Sequence, residues 1–226
     1  MCKNLRRALV RAAHVRSVLL RAARVTSALL RAALVALPGL IHSTAAPAQT
    51  APLKVGFVYV TPVGQAGWSY QHDLGRQAME RALGAQVKST VVEAVAEGPD
   101  GERVMRELAK QGHRLIFATS FGYLDSALRV AAEFPGVRFE HAGGYKTAAN
   151  LNTYNARIYE SRWLAGKLAA LNSTSGIVGY VAGYPVPEVV QGINAFAIGL
   201  REANPKAQLR VLWLNAWFDP PREREA

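Results

Sequence analysis

From Leu53 onward the apolar positions follow two alternating rhythms. Lys54–Val60 (KVGFVYV) is a β-branched and aromatic run of strand type. Ser69–Leu83 repeats at helical spacing, with Ala78, Met79, Ala82 and Leu83 on one face. Val87–Val92 predicts a second strand. Asp100 is placed to cap a helix running to Gln111, with Val104, Met105 and Leu108 on its apolar side and Gly112 as its stop. Leu115–Ala118 predicts a short buried strand, Ser120 the cap of a helix through Phe134, and Val137–Ala142 the next strand after the Pro135-Gly136 break. A helix at Ile158–Leu171, a strand at Ile177–Val181, a helix at about Pro187–Ala203 and a strand at Leu209–Leu214 complete the series.

Strands that alternate with helices predict right-handed βαβ units and a parallel sheet, so the fold class is α/β. In such sheets ligands bind beyond the carboxyl ends of the strands, where the loops feed the helix N-termini. Those loops are Thr61–Trp68, Thr119–Tyr123, Gly143–Lys146, Ala182–Pro187 and Asn215–Asp219.

The first 50 residues have a different character. They hold eight of the 27 basic residues and none of the 16 acidic ones, so the formal charge of +11 falls to +3 over the rest. The body is not basic, which removes the main argument for a nucleic-acid partner. Residues 11–36 contain a ten-residue near-repeat (RAAHVRSVLL, RAARVTSALL, RAALVA), too short and too few for a solenoid. Ala32–Ile41 is an uninterrupted apolar run followed by Ala46-Pro47-Ala48. A long basic region, a short apolar run and a small-x-small site predict a signal peptide over residues 1–48, cleaved near Ala48, and export to the periplasm. The apolar run is too short to cross a bilayer. The same composition also fits a basic amphipathic helix on a membrane surface, a mitochondrial-type transit peptide, or an overlong start, since no methionine lies between Met1 and Met79. Cys2 is the one cysteine and precedes the apolar run, so there is no lipobox and the mature chain has no thiol chemistry.

Aromatic residues and glycines recur in the strand-end loops. Trp68 and Tyr70 follow the first strand, Phe121 and Tyr123 the third, Tyr145 the fourth, Tyr184 the first strand of the second half, and Trp217 and Phe218 the last. Flat apolar faces with a hydroxyl or indole donor at the edge suit a flat ring ligand, each stack contributing about 1 kcal/mol. Catalytic patterns are scarce: there is no G-x-S-x-G, and the G-x-x-G groupings lack a phosphate-loop Lys-Ser/Thr. Gly64-Gln65-Ala66-Gly67 falls short of a dinucleotide fingerprint, with only Glu93 near the second strand's end. His72 and the adjacent Asp73 diverge on a helix, and His113 and His141 have no neighbouring ligand, so neither a metal nor another cofactor is expected.

Four stretches together, KVGFVYV…GWSYQHDLGRQAMERALG, IFATSFGYLDSALRVAAEFPGVRFEHAGG, YNARIYESRWLAGKLAALNSTSGIVGYVAGYPVPEVVQGINAFAIGLREANP and WLNAWFDPPREREA, resemble the basic membrane protein family. Its members are extracytoplasmic substrate-binding proteins of ABC importers, many of which bind purine nucleosides or bases. The resemblance covers Leu53–Ala226. It implies two α/β lobes of the periplasmic-binding-protein type I kind, parallel sheets flanked by helices, with the ligand clamped between them. The N-terminal lobe is expected over residues 53–152 and a partial second lobe over 153–226. The family continues past the W-F-D-P motif, whereas this chain stops in what reads as an uncapped first helical turn, leaving the second lobe incomplete.

Many members carry Asp-x-Ser-Phe-Asn after the first strand, where this chain has Gly67-Trp68-Ser69-Tyr70-Gln71. Tyr70 thus takes the stacking position, Trp68 adds a ring and the acid is gone. Members often have Ile-Asp-Gly after the fourth strand, and here Ala142-Gly143-Gly144 stands instead. Losing both sugar-binding carboxylates implies a free base, adenine in preference to a nucleoside. The resulting expectation is a non-enzymatic, monomeric binding protein that passes a purine to an inner-membrane ABC permease. Trp68, Tyr70, Phe121 and Trp217 would sandwich the base, Asn155 or Gln71 would meet its hydrogen-bonding edge, and Tyr123, Gly143 and Tyr184 would complete the wall. The alternatives are a sugar or autoinducer-type ligand in the same clamp, and a nucleoside-processing enzyme on a similar sheet. An enzyme would need an acid or base at a strand end, and Asp125 and Glu140 have no partner.

Overall fold

The computed structural model describes residues 51–226. The segment expected to be a signal peptide, the expected cleavage site near Ala48, and Cys2 lie outside the described residues.

Five strands form the first sheet: β1 (Leu53–Val58), β2 (Val87–Val92), β3 (Leu115–Ala118), β4 (Arg138–Ala142) and β5 (Leu151–Tyr154). They lie in the order β2-β1-β3-β4-β5, every neighbouring pair parallel. The pleat sends Val55, Phe57 and Tyr59 to one face, where Phe57 stacks on Phe117 at 4.7 Å and Met79 of α1 (Trp68–Leu83) covers them. Val58, Ile116 and Phe139 belong to the opposite, larger core, closed by Met105 and Leu108 of α2 (Pro99–Lys110) and Ala127 and Val130 of α3 (Leu124–Glu133). Both faces of the sheet are covered, which is why its central strands read as continuous apolar runs.

Helix starts differ from the sequence expectation. Gly98, with φ 84°, stands at the N-cap of α2 and Pro99 fills the first turn, so Asp100 lies inside the helix, not at its cap. Ser120 precedes a 3₁₀ turn, Phe121–Tyr123, and its hydroxyl bonds the Glu97 carboxylate in place of a helix backbone amide. β5 was not expected at all. Its residues, LNTY, lack a β-branched run, and no helix separates it from β4. The segment 143–150 doubles back, and the Asn150 side-chain amide fixes it by donating to the carbonyls of Ala131, Phe134 and Val137. The first sheet therefore runs to Tyr154, and the chain leaves it at Asn155–Arg157.

The remaining elements, grouped around a separate two-stranded sheet and called the second lobe below, are α4 (Ile158–Asn172), β6 (Ile177–Ala182), α5 (Pro187–Ala203), β7 (Gln208–Trp213) and α6 (Pro220–Glu225). β6 and β7 pair in parallel, and Phe196 and Leu200 of α5 pack with Ala170 of α4 beneath Tyr180 and Leu209. Val211, Leu212 and Trp213 of this two-stranded sheet are exposed, as are Leu164, Leu168 and Leu171 of α4. The last helix is capped, contrary to expectation: the Asp219 carboxylate accepts from the Arg222 amide at 3.2 Å.

Among the described residues one carboxylate is buried, that of Asp73. Asp73 of α1 accepts from Arg76 Nε at 2.6 Å and from Gln77 Nε2 at 2.6 Å, with the Tyr59 hydroxyl at 3.5 Å. The Arg76 bond holds its carboxyl below the usual range, burial opposes this, and the Gln77 bond lowers it further. A carboxyl depressed on folding adds stability above its unfolded pKa of about 4, and that stability is lost as pH falls through the folded value. Asp73→Asn is therefore expected to cost about 2 kcal/mol at pH 7 and to flatten the stability loss below pH 4. Urea unfolding at pH 7 and pH 3 checks both: equal destabilisation at the two pH values would remove the coupling.

Candidate functional site

A cavity of about 590 Å³ opens beyond the carboxyl ends of β1 and β3. In a sheet of order 2-1-3-4-5 this is the topological switch point, where the crossovers diverge to opposite faces and leave a crevice. Residues 60–62 after β1 and Ser120 and Phe121 after β3 form one wall. The opposite wall comes from the second lobe: Tyr180–Gly183 of β6 and its loop, the first turns of α5, and Trp217 and Phe218 after β7. The crossing segment at Asn155 and Ala156 and the start of α4 close one side.

Three of the rings expected at the site border this cavity: Trp68, Phe121 and Trp217. Trp68 opens α1 directly after Gly67, whose φ of 95° turns the chain into the helix. Its indole N–H donates to the Thr119 carbonyl and its ring packs 4.8 Å from His72, so its orientation is fixed from two sides. Phe121 stacks at 6.1 Å against the exposed Tyr145. Trp217 lies edge-on to Tyr184 at 5.0 Å, and a Cβ on Gly183 would come within 2.9 Å of its ring. That close approach requires glycine at 183.

Five expected residues do not border the cavity. Tyr70 stands two positions after Trp68 on the same helix, about 200° around the axis, so the helical phase turns it away when Trp68 faces in. Gln71 is exposed on α1. Tyr123 is fully buried, its ring under Gly101 and its hydroxyl donating to Val95 O at 2.6 Å, which makes it core. Tyr184 packs edge-on against Trp217. Gly143 lies against the Glu188 carboxylate, where a Cβ would meet Oε2 at 2.6 Å. Asn155 does border the cavity, but its amide is partly committed: Oδ1 accepts from Ala156 N at 2.8 Å and Nδ2 donates to Glu188 Oε2 at 3.1 Å.

The polar groups that meet at this crevice were not singled out in the sequence. Glu188, at the start of α5, borders the cavity half-buried, and burial pushes its carboxyl up against the opposing bond from Asn155. Arg162 of α4 borders it too, its guanidinium 6.0 Å from the Tyr180 ring. Glu97, on the loop after β2, accepts from Gly122 N at 3.0 Å, from Ser120 Oγ and, across the lobes, from Trp217 Nε1 at 3.1 Å through a single oxygen. One signal was present for Glu188: it follows a Pro at the helix start immediately after the loop Ala182–Pro187.

Three histidines lie among the described residues, none of them exposed. His113 bonds Leu108 O and Thr90 Oγ1, His72 bonds Trp68 O, and His141 is fully buried, with burial pushing its pKa down to about 4. Among the described residues no three His, Cys, Asp or Glu side chains group as a metal site.

Comparison with known proteins agrees with this architecture. The chain is 53% identical over 174 residues to a purine-binding protein of Brucella abortus (strain 2308), covering 77% of this chain and 50% of that one. It is 43% identical over 180 residues to a Haloferax volcanii protein named provisionally as an ABC transporter glucose-binding protein, covering 80% and 46%. The chain thus spans about half the length of these relatives. Among solved structures, an ABC transporter solute-binding protein from Conexibacter woesei superposes with a TM-score of 0.55 at 24% identity, over 77% of this chain and 58% of that one. The Caulobacter myo-inositol binding protein does so with a TM-score of 0.55 at 14% identity, over 71% and 55%. These two likenesses establish the fold: α/β, of the periplasmic-binding-protein type I kind. Residues 53–226 match the family described as Bmp, ABC transporter substrate-binding protein PnrA-like, and the chain belongs to that family.

Proposed function

We propose that this chain is the extracytoplasmic solute-binding component of an ABC importer, holding a purine base or nucleoside, adenine by preference, for delivery to an inner-membrane permease. The observation that carries this is the convergence of Trp68 and Phe121 from one lobe and Trp217 from the other on one crevice. Rings on both walls grip a flat heterocycle by its faces, at about 1 kcal/mol each. Because the walls belong to different lobes, the ligand gains its full contacts only when the lobes are together, so binding shifts the population toward a closed form that a permease can recognise. The name of the Brucella relative supports a purine cargo. Export by the basic leader and action as a monomer complete the proposal.

A sugar is the second reading, favoured by the name of the Haloferax relative and by Glu188, Asn155 and Arg162 at the cavity wall. Thermal unfolding with adenine, guanine, inosine and glucose separates the two. A ligand at about 100 times its dissociation constant adds about 2.7 kcal/mol, which for a domain of this size raises Tm by roughly 5–10 °C. A rise with adenine exceeding that with inosine, and none with glucose, is the expected result. A rise with glucose alone would transfer the site to the sugar reading.

A further inference from the structure

We propose that Glu188 is the specificity-determining acceptor of the site, selecting ring ligands that present an N–H to its free carboxylate oxygen. The inference rests on the reading of the cavity as a purine site and adds which polar group of the ligand is recognised.

Four observations lead to it. Glu188 borders the same cavity as Trp68, Phe121 and Trp217 and is half-buried there. Among the described residues no Lys, Arg or His pairs with it, and its one hydrogen bond is the neutral Asn155 amide on Oε2. Oε1 accepts nothing from those residues, so one oxygen of a half-buried carboxylate is left for a ligand donor. A carboxylate can take several donors and gives none, so the group it selects is an N–H or O–H. Finally, Gly143 at the end of β4 makes room for it: any side chain there would fall on Oε2.

That last contact links the two lobes. The β4 loop carries no acid here, since Ala142-Gly143-Gly144 occupies it. The space above Gly143 is filled instead by a carboxylate arriving from the second lobe on α5. The rings hold the faces of a heterocycle and leave its edge to be read, and Asn155 orients the carboxylate that reads it. Arg162, also at the wall, is the group of opposite charge on the neighbouring helix, and its guanidinium lies toward Tyr180.

Titration calorimetry on the chain with three probes tests this: adenine, 9-methyladenine, which lacks the ring N–H, and unsubstituted purine, which lacks the exocyclic amine. The wild-type chain should lose at least tenfold in affinity on going from adenine to one of the two analogues. In Glu188→Ala that ratio should fall to within threefold of unity, while the unliganded Tm stays within a few degrees of wild type. Glu188→Gln, which keeps the size and one acceptor oxygen, should give an intermediate ratio. The readout is the ratio between ligands, which a merely structural loss would leave unchanged. Variants that bind adenine with the wild-type ratios intact would overturn the inference and leave the purine reading standing. A wild-type chain that binds none of the three would overturn both.

Discussion

Replacing Gly166 by alanine should destabilise the second lobe by about 3 kcal/mol, although alanine is the better helix former. Gly166 on α4 and Gly199 on α5 lie where the two helices cross, and their contacts are reciprocal. A Cβ at 166 would fall on the Phe196 carbonyl oxygen, and one at 199 on the Trp163 carbonyl oxygen. The obstacle in both cases is backbone, which cannot swing aside as a side chain can. The helices must separate, and Phe196, Leu200 and Ala170 then lose their packing. Overpacking of this kind costs about 1–3 kcal/mol, more where nothing yields, and the helix-propensity gain of about 1 kcal/mol does not offset it. Gly75 of α1 provides the control, because a Cβ there meets nothing within 4 Å. Gly75→Ala should raise stability by roughly 0.5–1 kcal/mol. Denaturant unfolding of the two variants checks the signs, and Gly166→Ala at or above wild-type stability would mean the helices do not approach this closely. Since α5 also carries Glu188, Gly166→Ala and Gly199→Ala should weaken ligand binding without touching the cavity wall.

The alternation of strands and helices was legible because each element has its own period. Val87–Val92, Leu115–Ala118 and Pro187–Ala203 begin and end where the sequence pattern predicts. Cap positions were less legible. Asp100 and Ser120 both look like caps, but Gly98-Pro99 starts one helix early and Glu97 takes the Ser120 hydroxyl from outside the local sequence. β5 was hidden because its strand character comes from pairing with β4 and from the Asn150 amide, not from its own side chains. The site divides in the same way. That rings would gather at the strand ends follows from the topology of a parallel sheet. Which ring faces inward depends on where α1 starts, and a start at Trp68 puts that residue on the wall and Tyr70 off it. Glu97 and Glu188 were invisible because their partners are remote: Trp217 is 120 residues from Glu97, and Asn155 is 33 from Glu188.

Trp217→Ala should lower ligand affinity at least a hundredfold, the largest effect expected for any single residue at the wall. The indole does two things at once. It borders the cavity, and its N–H reaches the first lobe, donating to Glu97 Oε1 at 3.1 Å. That oxygen already takes Gly122 N at 3.0 Å and Ser120 Oγ, so Glu97 is held by its own lobe before Trp217 arrives. The bond is therefore a latch onto a fixed point, and part of the entropy of ordering it is already met. Truncating a large ring at the centre of a binding surface typically costs 2–4 kcal/mol, and a hydrogen bond to a charged acceptor accounts for about 1.5–3 kcal/mol of such losses. Trp217→Phe separates the two contributions: it keeps a ring and loses the N–H, and should cost about tenfold, or roughly 1.4 kcal/mol. Glu97→Ala should cost a similar amount, together with some first-lobe stability, because Ser120 and Gly122 lose their acceptor. If the latch is real, the double variant Trp217→Phe/Glu97→Ala will lose less affinity than the two single losses predict, by about 1 kcal/mol. Strict additivity would reduce Trp217 to a ring on the wall with no part in holding the lobes together.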